Sequence, residues 1–225
     1  MDQTSVKNIQ DKKHGTHILF NGSAKPDISV LMPCFNSQNK AWITLESYLN
    51  MEDFELNWEL IIADEHANTS EVILKYLNEI VGIKNCCKVT YIVIDPIKDG
   101  QFKNVFTLLE KWKLMASLAT SDICALQADD DYSPEYRLIN TFNNFKNPDC
   151  YFSTQPVGLF YNINNNEIFI YDGTKRKRYT HIRMMHLNMA YKTEYLKNIK
   201  ITFLKSAVDQ YLLRDIYEQI CKAQD

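Results

Sequence analysis

The chain has 225 residues, 45% of them apolar and 24% charged, an ordinary soluble globular composition with room for one sizeable core. A formal net charge of -3 gives no global reason to expect a nucleic-acid partner, so any basic surface must be local. The six cysteines lack metal-ligand spacing, no apolar stretch approaches a membrane span and the N-terminus has no basic-then-apolar signal order, which together predict reduced thiols and a cytoplasmic location.

Residues 1–26 are polar and lysine-rich around one short apolar patch (Ile18, Leu19, Phe20), and they read as an extension outside the core. From Ile28 the texture changes. Ile28 to Met32 is an apolar run stopped by Pro33, which suits a buried strand of a parallel sheet. Trp42, Leu45, Tyr48 and Leu49 then fall at helical spacing. Leu60 to Ala63, flanked by Trp58, reads as the next strand, Asp64 to Ser70 as a loop, and Val72 to Ile80 as a helix. A third strand spans Lys88 to Ile94 and stops at Asp95-Pro96; a longer helix carries Phe106, Leu109, Trp112, Met115 and Leu118; Ile123 to Leu126 is the fourth strand. Strands alternating with helices predict βαβ crossovers and a mostly parallel α/β sheet.

The second half is looser. Tyr136 to Phe145 is helical, Tyr151 to Thr154 strand-like, and Gly158 to Asp172 reads as a hairpin about Asn162 to Asn166. Met189 to Tyr191 is a short strand, and Val208 to Ile220 an amphipathic helix.

Ligands of open α/β sheets bind in the crevice at the carboxyl ends of the strands. Three polar clusters fall there: Pro33 to Asn36, Asp64 to His66, and Asp129 to Asp131. Adjacent carboxylates repel one another, a penalty relieved on a solvated turn or by a divalent cation. Phe35 can lie against a planar ligand, and Asp64 can accept from the N3–H of a uracil. Glu65 and His66 beside it can face solvent, and a lone histidine of this kind is more often structural or exposed than a ligand.

The order of these pieces resembles glycosyltransferase family 2, the inverting enzymes of the GT-A fold. The resemblance is carried by Ile28 to Asn36 (ISVLMPCFN), Trp58 to Asp64 (WELIIAD), Ala119 to Pro134 (ATSDICALQADDDYSP), Leu187 to Lys192 (LNMAYK) and Val208 to Arg214 (VDQYLLR). It implies a Rossmann-like GT-A domain over residues 27–225, with a nucleotide-sugar-binding half (27–131) and a smaller antiparallel acceptor-side half (132–225). It further implies that Pro33, Phe35, Asn36, Asp64, Gln127, Asp129 and Asp130 border the nucleotide sugar. Asp129 or Asp131 would hold Mn²⁺ or Mg²⁺ at a DXD motif, and His186, just ahead of the Leu187 to Lys192 segment, is by its position a candidate to complete the metal shell or contact phosphate. Asp209 would be the general base, although an aspartate at that position also suits the N-cap of the last helix. Two departures stand out: Gln127 occupies the place of the family's first aspartate, and Val208 precedes Asp209 where family members often carry glutamate.

The resemblance thus predicts transfer of a hexose, with a UDP-linked donor favoured, to a hydroxyl on a glycan, lipid or protein. Lys175 to Arg178, the one strong basic cluster, can steer a phosphate-bearing acceptor, contact an anionic membrane surface weakly, or be a solvated loop, and His181 is a further phosphate or metal candidate. The alternative is a non-catalytic nucleotide-sugar or glycan-binding module of the same fold. A sugar-phosphate nucleotidylyltransferase fits less well, because Pro33 to Asn39 contains no glycine for a phosphate loop.

Overall fold

The computed structural model describes residues 15–37, 39–51, 55–65, 70–94, 97–98, 101–102, 106–154, 157–162, 166–172 and 189–199. Its centre is a seven-stranded sheet in the order β1-β4-β3-β2-β7-β11-β8. The strands are β1 (Gly15–Asn21), β2 (Ile28–Phe35), β3 (Trp58–Glu65), β4 (Cys86–Ile94), β7 (Ile123–Leu126), β8 (Phe152–Ser153) and β11 (Ala190–Lys192). Four neighbours, β4, β3, β2 and β7, run parallel, and β1, β11 and β8 add antiparallel margins. This is the mostly parallel α/β sheet expected from the sequence.

The central strands are apolar on both faces, and every residue of β3 is buried. Alternate residues feed two cores. Val30, Met32, Leu60, Ile62, Val89 and Tyr91 pack on one face with Leu45, Tyr48, Leu74 and Leu77, which come from α1 (Ala41–Leu49) and α2 (Ser70–Ile80). Leu31, Ile61, Ala63 and Ile92 pack on the other with Trp112 and Met115 of α3 (Leu108–Leu118) and Leu196 of a short α5 (Thr193–Asn198). A capping box starts α3: Glu110 N donates to Thr107 Oγ1 at 3.2 Å, and Thr107 N donates to Glu110 Oε2 at 2.7 Å. α4 (Arg137–Asn144) follows the aspartate run.

One expectation is corrected. Gly15–Asn21 does not stand outside the sheet but pairs antiparallel with β4, from Gly15 opposite Val93 to Asn21 opposite Lys88. The outer backbone edge of β4 needs hydrogen-bond partners, and β1 provides them. The expected hairpin is present as β9 (Val157–Asn162) and β10 (Glu167–Asp172), and Asn166 takes a left-handed φ of 56°. A two-residue pairing of β5 (Ile97–Lys98) with β6 (Gln101–Phe102) follows β4. Cys34, Cys86, Cys87, Cys124 and Cys150 are free thiols, and burial pushes Cys86 and Cys124 up to about 12. Among the described residues, no helix is long and apolar enough to cross a membrane.

Candidate functional site

β2 lies between β3 and β7, so Pro33 to Asn36, Asp64–Glu65 and Asp129 to Asp131 become neighbours along one rim. Cys34 is in register with Asp64, and Phe35 with Glu65. Phe35 is 46% exposed, and Asn36 turns the chain with a left-handed φ of 52°, a conformation asparagine tolerates. Pro33 is half-buried at the same strand end. Asp64 is fully buried, and Tyr91 donates its hydroxyl to Asp64 Oδ2 at 2.5 Å. Burial, and then the Asp64 charge, push the Tyr91 hydroxyl well above its ordinary range, so it stays a donor.

Asp129 ties the β7 loop to the β2 loop. Its Oδ2 accepts from Phe35 N at 3.2 Å and from the Ser37 hydroxyl. Burial, with the Asp130 charge adding to it, lifts the Asp129 carboxyl to about 6. Asp131 is raised in the same sense by burial and by Asp130, and Arg137 opposes the shift. Asp130 points outward and pairs with Lys40 at 3.3 Å, an exposed contact worth at most about 1 kcal/mol.

Beneath the aspartates is a buried polar clamp. Gln127 is 1% exposed, and its Nε2 donates to the carbonyls of Ala128 and Asp131, each at 2.9 Å. Thr44 Oγ1 of α1 lies against the same two carbonyl oxygens, at 3.1 and 2.8 Å. Gln127 Oε1 accepts from Tyr48 OH at 3.0 Å and from Arg137, whose guanidinium also donates to Leu126 O. Gln127 therefore sits under the turn and shapes it; its amide is engaged within the protein. Both ends of the Ala128–Asp131 turn are gripped by the same two side chains.

Sequence reasoning missed Thr44 and Arg137, together with Lys111 and Glu65. Lys111 Nζ lies 2.5 Å from Glu65 Oε2, and both side chains are almost wholly buried, whereas the sequence allowed Glu65 to face solvent. One signal was available for Lys111: it falls beside Trp112 on the apolar face of α3. Arg137 gave a weaker one, standing within the helical pattern right after the acidic run.

Asp209, His66, His181, His186 and Lys175 to Arg178 lie outside the described residues. The structure therefore brings together Pro33, Phe35, Asn36, Asp64, Gln127 and the aspartate run, and leaves the rest of the expected site undescribed. Among the described residues, no group of three or more His, Cys, Asp or Glu side chains gathers as a metal site. The aspartate turn nevertheless suits a hard divalent cation. Two carboxyls, Asp129 and Asp131, raised by burial and by the Asp130 charge between them, would be relieved by one, and Mg²⁺ is commonly held by one or two carboxylates completed by phosphate oxygens and water.

No protein-family model matches the chain, and no curated protein does. Solved structures do. S. aureus TarS (residues 1–349) in complex with UDP-GlcNAc is similar at a TM-score of 0.55 and 19% identity, covering 82% of this chain and 51% of that one. The same protein in complex with UDP gives 0.52 and 20%, covering 82% and 53%. The mannosyltransferase PcManGT from Pyrobaculum calidifontis, in complex with GDP-Man and Mn²⁺, is a looser likeness at 0.48 and 11%, covering 85% and 51%. The chain spans about half the length of these solved chains. At these identities the likeness to TarS establishes the fold, a GT-A, Rossmann-like α/β sheet.

Proposed function

We propose that the chain is an inverting, family 2 type glycosyltransferase that moves a hexose from a nucleotide sugar, with UDP-linked donors favoured, to a hydroxyl on a glycan, lipid or protein. The observation that carries this reading is the junction of Asp129 with Phe35 and Ser37 at adjacent strand ends. It sets an aromatic ring and a carboxylate turn side by side at the crevice where such sheets take ligands. TarS, solved with UDP-GlcNAc and with UDP, has a similar sheet, which supports a nucleotide-sugar donor for this one.

In this reading Pro33, Phe35, Asn36 and Asp64 border the nucleoside, and Asp130 faces the donor. Asp129 and Asp131 hold Mn²⁺ or Mg²⁺, with His186 as a further ligand. A bound cation supplies charge stabilisation at the departing diphosphate. Gln127 and Thr44 hold the turn in shape from beneath, and Asp209 takes the proton from the acceptor hydroxyl. The two halves proposed are 27–131 for the donor and 132–225 for the acceptor.

The test is incubation with a panel of UDP- and GDP-linked hexoses, Mn²⁺ and hydroxyl acceptors, followed by chromatography for free nucleotide diphosphate. Cation-dependent release, strongest with a UDP-sugar, is the expected result. Tight binding with no product across the panel would instead favour a non-catalytic module, and pyrophosphate exchange with a nucleoside triphosphate would indicate a nucleotidylyltransferase.

A further inference from the structure

α3 packs on β2 and β3 and reaches the rim through one buried cation. Lys111 is 4% exposed and Glu65 is fully buried. The Lys111 ammonium lies 2.5 Å from Glu65 Oε2, donates to Cys34 O at 3.4 Å, and stands 5.2 Å from the centre of the Phe35 ring. A single charged group thus links the last residue of β3, the penultimate residue of β2 and the aromatic ring at the tip of β2.

Such a pair is costly to bury. Stripping water from an ammonium and a carboxylate offsets much of their attraction, and apolar side chains of similar volume often stabilise a core as well or better. The position of this pair is more telling than its stability. Phe35 is 46% exposed, while the ammonium that faces its ring is buried, so the cation approaches from the protein side and leaves ring surface toward the crevice. Asp129 accepts from the backbone N–H of the same residue, so the ring is fixed from below by Lys111 and at its backbone by the aspartate turn. Lys111 also acts on Asp129 through space, its charge opposing the rise of that carboxyl.

We infer that Lys111 and Glu65 are positioning residues that hold Phe35 as a stacking platform for the base of the nucleotide donor. The inference rests on the nucleotide-sugar reading above and deepens it: the pair governs recognition of the base, while the aspartate turn governs the diphosphate. Stacking on an aromatic ring is available to any planar base, so the platform supplies affinity, and discrimination between bases falls to polar groups such as Asp64.

Two probes separate base from diphosphate. UDP and inorganic pyrophosphate are titrated calorimetrically, with Mg²⁺ present, into the full chain and into Lys111→Met, Glu65→Gln and Phe35→Leu. Lys111→Met should weaken UDP about tenfold and change pyrophosphate less than about threefold. Glu65→Gln, which keeps the shape of the side chain, should move UDP in the same direction by a smaller factor. In a Phe35→Leu background Lys111→Met should add less than about twofold, because the residue it acts through is already gone.

Equal weakening of both probes, or full additivity with Phe35→Leu, would overturn the inference and leave the pair a merely structural one. Unchanged UDP affinity in both Lys111→Met and Glu65→Gln would overturn it as well, while the nucleotide-sugar reading survived. A wild-type chain that bound neither probe would overturn both.

Discussion

Replacing Asp209 by asparagine should lower kcat about 10²- to 10⁴-fold while the affinity for a nucleotide-sugar donor stays within about twofold. In an inverting transfer the acceptor oxygen attacks the anomeric carbon from the face opposite the leaving nucleotide. A carboxylate must therefore take the hydroxyl proton on the acceptor side, away from the aspartate turn. Asparagine has nearly the same shape and can still cap the helix expected over Val208 to Ile220, but it accepts no proton at neutral pH. The variant thus separates the two jobs an aspartate can do at that position. A chain that folds, binds donor and no longer turns over identifies a base; one with wild-type turnover leaves Asp209 as a cap.

The second large effect concerns folding. Arg137 is 1% exposed, and its guanidinium donates to Gln127 Oε1 and Leu126 O and lies 3.3 Å from Ser133 Oγ. Truncating it to methionine fills most of the volume but leaves a buried carbonyl, that of Leu126, without this donor. It also removes the cation that opposes the raised carboxyl of Asp131. Hydrogen bonds to charged groups are worth roughly 1.5–3 kcal/mol each, so Arg137→Met should cost about 3 kcal/mol. For a chain of this size that is a fall in Tm of roughly 10 °C, readable by differential scanning calorimetry. Lys40→Met, which removes only the exposed pair with Asp130, should shift Tm by no more than about 3 °C.

The contrast between Arg137 and Lys40 also shows where sequence reasoning is strong and where it stops. The parallel strands β2, β3 and β7 were legible because runs such as Leu60 to Ala63 are short and apolar at consecutive positions, as a strand covered on both faces requires. β1 was not, since Thr16 to Phe20 alternates weakly and its reason for being a strand is the open edge of β4, a long-range fact. α5 covers six residues, too few to show a helical period.

At the site, the rim residues Phe35, Asp64 and Asp129 could be placed because each ends an apolar run. Residues that support them could not. Thr44 and Gln127 meet across 83 positions of sequence, and nothing local to either shows that both address the carbonyls of Ala128 and Asp131. Gln127 in particular reads as a lost aspartate, yet a carboxylate in its place would have no donor for those two carbonyls. An amide carries both a donor and an acceptor: here Nε2 serves the turn and Oε1 accepts from Tyr48 and Arg137.

The same logic accounts for three adjacent carboxylates. Asp130 faces solvent and a lysine, whereas one oxygen of Asp129 accepts from Phe35 and Ser37 and the buried Arg137 charge opposes the raised carboxyl of Asp131. Their charges are therefore poised at the strand end, where a divalent cation would neutralise them and in turn accept the oxygens of a diphosphate.

The most direct measurement is a calorimetric titration of UDP into wild-type chain and Asp129→Ala, with and without Mn²⁺. The account predicts cation-dependent binding by wild type at pH 7.5 and a loss of at least about 100-fold in the variant, beyond what outer-shell partners of a metal site command. Because Asp129 must be ionised to meet the cation and its carboxyl is raised to about 6, wild-type affinity should also weaken as pH falls through that value. UDP binding that is equally strong without divalent cation, or untouched by Asp129→Ala, would contradict the assignment of the aspartate turn to the diphosphate.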